Sequence, residues 1–125
     1  MRQLEDVPVK GYRKLLIAVG NSKEVIRQGM AVAAKDKSWV TIIRVLPSGS
    51  GKIRSGIEEF SANKLSPVKT RLEYGSPHEK IIEAAEEERC DLIVMGVNRT
   101  KRMMQGSTVD KVIDNAPCPV LLVRI

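Results

Sequence analysis

Few residues in this sequence have the type and spacing to do chemistry. Pro47-Ser48-Gly49-Ser50-Gly51-Lys52 has the small residues and the lysine of a phosphate-cradling loop. That loop also needs a glycine five residues before Gly51 and a hydroxyl after the lysine. Leu46 and Ile53 stand there, so the segment reads as a flexible connector. Arg99, Lys101 and Arg102 form a basic cluster, and arginine forks match phosphate oxygens. The same cluster also suits a plain solvated loop, and both readings stay open. Ser22 and Ser107 have no histidine and acid placed by motif to activate them, so helix capping is the expected role of each. The lone His78 opens a helix, where the dipole disfavours imidazolium, and it reads as a surface or capping group. Glu86, Glu87 and Glu88 are consecutive and do not share a helix face, which argues for a solvated end rather than a metal site. Cys90 and Cys118 form no C-x-x-C, and with one histidine they leave no metal-ligand cluster. Both read as small buried apolar residues. Met103-Met104 reads as ordinary packing rather than a lid.

The elements that position these groups belong to a chain of 125 residues, near the common size of one domain. With 42% hydrophobic and 29% charged residues, the composition is that of a globular protein and not of a disordered tail. No apolar run approaches the length of a membrane span. The first residues, MRQLEDVPVKGYR, lack the apolar stretch of a signal peptide, so the expected compartment is the cytoplasm. The net charge of +6 favours anionic partners. It is unevenly spread: residues 73–91 carry seven acidic and two basic groups, whereas residues 44–71 carry six basic and two acidic ones. Tyr12, Trp39, Phe60 and Tyr74 are the only aromatics, too few to expect a single-stranded nucleic-acid surface.

Residues 1–13 read as a flexible arm and residues 14–125 as one domain. Lys14–Val19 is a near-continuous apolar run and reads as a buried strand. Asn21 or Ser22 caps a helix over Lys23–Lys35 that buries Val25, Ile26, Met30, Ala33 and Ala34. Trp39–Leu46 is β-branched and predicts a second strand. Ile53, Ile57 and Phe60 predict a short helix over Lys52–Lys64. Val68–Tyr74 is a third strand, less apolar and suited to an edge. Ser76-Pro77-His78-Glu79 has the form of a capping box, and its helix runs to Arg89 with Ile81, Ile82 and Ala85 inside. Asp91–Met95 predicts a fourth strand ending at Gly96. Ser107 or Thr108 caps a helix burying Val109, Val112 and Ile113, and Pro119–Ile125 is a fifth strand. Strict alternation of strand and helix implies an α/β fold: an open, Rossmann-like parallel sheet with helices on both faces. Ligands of such sheets bind beyond the C-terminal strand ends, at the switch in strand order. That singles out Gly20–Ser22, Val45–Pro47 and the segment from Gly96 to Ser107.

The stretches LEYGSPHEKIIEAAEEERCDLIVMG, GSTVDKVIDNAPCPVLLV and KLLIAVGNS resemble the universal stress protein family over residues 14–125. The resemblance implies strand order 3-2-1-4-5, a cytosolic stress-related role and homodimers. Many members of the family bind ATP through G-x2-G-x9-G-[S/T], with an acidic residue ending strand one. On this sequence the implied site comprises Gly20, Asn21, Ser22, Val45, Met95, Gly96, Arg99, Gly106, Ser107 and Thr108, with Mg²⁺ only in company with ATP.

Three departures from that pattern are visible. Gly20 stands where the strand-one acid is expected. Arg99 stands where the second glycine is expected. Six residues, Thr100–Gln105, separate Arg99 from Gly106 where the family has nine. Arginine restricts the backbone approach that glycine allows, and a lost carboxylate removes an acceptor for ribose hydroxyls. The expected function is therefore a regulatory stress protein with a degenerate nucleotide site, a binder and not a catalyst, acting through an unidentified protein partner. The alternative is a competent ATP binder that uses Arg99–Arg102 for phosphate. A nucleotide-dependent enzyme and a nucleic-acid binder are the weaker readings. In the implied strand order the last strand is a bare apolar edge, and a second copy is its simplest cover, through Val120, Leu121, Leu122 and Val123.

Overall fold

The computed structural model describes residues 11–20, 22–49, 68–98 and 108–125. In chain order the elements are β1 (Lys14–Val19), α1 (Lys23–Asp36), β2 (Trp39–Leu46), β3 (Val68–Tyr74), α2 (Pro77–Glu87), β4 (Leu92–Val97), α3 (Thr108–Asn115) and β5 (Val120–Arg124). All strands pair in parallel in the order β3-β2-β1-β4-β5. Residues 1–10 of the arm expected over 1–13, the helix expected over 52–64, and the residues Asn21, Arg99, Lys101, Arg102, Met103, Met104, Gly106 and Ser107 lie outside the described residues.

The central strands are apolar on both faces because both faces are covered. Leu15, Ile17, Val40, Ile42, Leu92 and Val94 turn to one side and pack with Val25, Ile26, Met30 and Ala33 of α1. Leu16, Ala18, Ile43, Ile93 and Met95 turn to the other and meet Ile81, Ala84 and Ala85 of α2 and Val109 and Val112 of α3. Each fully buried aliphatic side chain contributes about 1.5–3 kcal/mol. Gly29 brings α1 close to the sheet: a Cβ there would lie 2.5 Å from Ile17 Cδ1.

The helix ends follow local rules, with departures. The Ser22 hydroxyl accepts from Glu24 N at 3.1 Å and caps α1 as expected. At α2, Pro77 occupies the start, but the capping box does not form. The Ser76 hydroxyl instead meets His78 Nδ1 at 3.0 Å, which draws it away from the helix N–H groups. The helix stops at Glu87, short of Arg89, because Arg89 takes φ 54°. Strand β4 does not end at Gly96 but continues to Val97, since Gly96 and Val97 pair with Val123 and Arg124. Ala34 is exposed, Ile82 and Cys118 are only half-buried, and Ile113 is 48% exposed. Glu87 and Glu88 are not simply solvated. Arg71 Nη2 donates to Glu87 and Glu73 at 2.9 Å each, and Glu88 pairs with Lys69 at 2.8 Å and with Arg71 at 3.2 Å. These links tie the β3 edge to the end of α2.

Candidate functional site: the crevice at the strand ends

Strands β2 and β4 leave β1 on opposite sides, so the connections after β1 and β4 part above the sheet and open a crevice. Its cavity measures about 270 Å³. Gly20, Ser22, Val45, Met95, Gly96 and Thr108 all line it, so the structure gathers these sequence-selected residues in one place. Asn21, Arg99, Gly106 and Ser107 lie outside the described residues. The N-termini of α1, α2 and α3 follow the strand ends, and such termini favour negative charge.

The walls are otherwise apolar: Ala18, Val19, Val25, Ile43, Pro77, Ile81, Val109 and Ile125. No charged side chain lines the crevice among the described residues. Of its two described hydroxyls, that of Ser22 is engaged by the α1 cap. The glycine at position 96 is required by close packing. A Cβ there would lie 2.7 Å from Val25 Cγ2 and 3.1 Å from Ile125 Cδ1. Ile125 is held in place by its N–H, which donates to Val97 O at 3.0 Å. Sequence reading missed Val25 and Ile125 as crevice walls, because both read as ordinary apolar positions of their own elements. It also missed Arg44, which follows from its register with Val19. Arg44 Nη1 donates to Gly20 O at 3.1 Å, and Arg44 Nε is buried without a partner. A guanidinium therefore braces the strand-one turn from outside the cavity.

The other chemistry-bearing candidates are quiet. Burial pushes the Cys90 thiol up to about 12, with Cys118 nearby adding to the effect, and burial also raises Cys118. Neither is a ready thiolate. No group of three metal-ligating side chains occurs among the described residues. No described helix is long and apolar enough to cross a membrane. At the far margin of the sheet, Leu121 and Leu122 of β5 are exposed, and Val120 and Val123 are half-buried.

The family model for the universal stress protein family matches residues 50–124. The chain belongs to the universal stress protein family. A putative universal stress protein of Staphylococcus aureus (strain USA300) is 30% identical, with 90% of this chain and 84% of the relative covered. The universal stress protein UspA from Lactobacillus plantarum superposes with a TM-score of 0.72 at 22% identity, over 91% of this chain and 99% of that one. A universal stress protein family protein from Arabidopsis thaliana, solved with AMP bound, gives 0.64 at 18% identity, over 90% and 91%. At these identities the two structures establish the shared fold.

Proposed function

We propose that this chain is a cytoplasmic regulatory stress protein whose adenine-nucleotide crevice is degenerate and binds ATP weakly or not at all. The observation that carries the reading is that no described wall residue of the crevice is charged. Gly20 offers no carboxylate to ribose hydroxyls, and no described wall residue offers a cation to phosphate. The cavity of about 270 Å³ also falls below the ~300–1,000 Å³ usual for small-molecule pockets. The walls thus fit a triphosphate with Mg²⁺ poorly. The chain then acts through contacts of its 14–125 domain, as a binder rather than a catalyst. It pairs with a second copy through Val120, Leu121, Leu122 and Val123 of the exposed β5 edge and with a regulatory protein.

A second reading has one observation in its favour: three helix N-termini converge on the crevice. A nucleotide would then set its phosphates toward them, and Arg99–Arg102 would supply the charge that the walls lack. Calorimetric titration with ATP and Mg²⁺, paired with thermal shift, separates the two. The degenerate site gives no heat and no shift at millimolar ATP. Micromolar binding, with a shift of several degrees at about 100 times Kd, establishes the second reading instead. Light scattering at tens of micromolar tests the pairing, and a monomeric mass refutes it.

A further inference from the structure

The sheet end opposite the crevice carries a feature that the nucleotide reading does not use. Trp39, the only tryptophan of the chain, opens β2 and is 63% exposed. An indole of this size contributes strongly when buried, so a ligand that covered it would gain contact area. Trp39 stands in register with Lys14 of β1, and the two residues line a pair of adjoining cavities. One measures about 450 Å³, with Thr41, Val68 and Cys90 in its walls and the Lys69–Glu88 ion pair at its side. The other adds Arg13, Arg89 and Asp91.

The acids at this end are already committed. Both carboxylate oxygens of Asp91 accept backbone N–H groups, from Arg13 and Lys14 at 3.0 Å each. Glu88 is held by Lys69 and Arg71. The side chains of Arg13, Lys14 and Arg89 have no carboxylate partner among the described residues. Arg89 reaches this place at φ 54°, a left-handed helix-end position usually given to glycine or asparagine. A larger side chain is therefore tolerated there at a conformational cost, and it is a cationic one.

We propose that the Trp39 end of the sheet is a second ligand site, for a small planar aromatic anion. The ring lies against the indole, and its phosphate, sulfonate or carboxylate faces Lys14, Arg13 and Arg89. Concavity argues for a small molecule rather than a flat macromolecular surface, since 450 Å³ lies within the range of small-ligand pockets. Charge complementarity argues for an anion. The site lies about 17 Å from the crevice, taking β1 at ~3.3 Å per residue, so the two ends bind independently of shared contacts.

The test uses 1-naphthyl phosphate as probe and the emission of the single tryptophan as reporter. The expected result is saturable quenching at submillimolar probe, weakened at least tenfold for neutral 1-naphthol and for Lys14→Glu, and unchanged by submillimolar inorganic phosphate. Calorimetry on Trp39→Ala, an exposed substitution, should lose the same binding. No saturable quenching at millimolar probe overturns the proposal, as does equal binding to Lys14→Glu. Two further outcomes overturn it in favour of other occupants. Emission that changes with protein concentration alone means that a second copy covers Trp39. A short single-stranded oligonucleotide binding a hundredfold tighter than the probe means a nucleic-acid surface.

Discussion

Gly96 and Ile125 meet so closely that one added carbon on the first would lie 3.1 Å from Cδ1 of the second. The same carbon would lie 2.7 Å from Val25 Cγ2. The crevice floor is therefore shaped by packing as much as by any ligand.

Gly96→Ala should destabilise the fold by about 1–3 kcal/mol through overpacking. Thermal denaturation should show a fall of several degrees. Adding Val25→Ala to the same chain should recover part of the loss, because it removes the closer obstacle. A Gly96→Ala chain as stable as the parent would show that α1 and β5 yield freely here.

Ser22 and Ser76 both precede helices, yet only Ser22 caps one with its side chain. Ser22→Ala should cost about 1 kcal/mol. Ser76→Ala should cost clearly less, since its hydroxyl engages His78 and not the helix backbone. Paired denaturant titrations read the difference directly from the midpoints.

The Glu88 carboxyl is held below its usual range, chiefly by the Lys69 ammonium hydrogen-bonded to it, with Arg71 assisting. A depressed folded value means that the stabilisation is present above the unfolded value near 4.5 and is lost as pH falls through the lower folded value. Stability should therefore fall more steeply below pH 4.5 in the parent than in Glu88→Gln. The gap between the two at neutral pH should be about 0.5–1 kcal/mol, typical of a partly exposed pair.

Alkylation should find both thiols slow at pH 8, because burial holds each above its ordinary value. Cys118, less buried than Cys90, should react first. Intact mass against time with iodoacetamide checks the order. Rapid reaction of Cys90 in the folded chain would show that the end of α2 opens readily.

Much of the fold could be read from the residues. The bounds of β1, β2 and β3 match their apolar and β-branched runs because each run stops at Gly, Pro or a charged turn. What could not be read depended on partners distant in sequence. Gly96 looked like a strand end, yet pairing with Val123 keeps it in β4. Ser76 and Glu79 carried the pattern of a capping box, but the pattern does not say that His78 competes for the hydroxyl. Ile113 kept helical spacing with Val109, yet at 48% exposure it lies outside the α3 stripe that meets the core. The crevice was located by topology alone. Two of its walls were not, because Val25 and Ile125 reach it only once α1 and β5 flank β4.

The two margins of the sheet differ in a way that limits stoichiometry. On β3, Lys69, Arg71 and Glu73 alternate along the strand, and the first two are latched to α2. Charged margins of this kind resist another strand. On β5, Leu121 and Leu122 are open. Extension of the sheet from one chain to the next is thus favoured at one side and discouraged at the other. A ladder that grows from a single side is complete after one addition, so the proposed β5 pairing would close as a pair and not run on as a polymer.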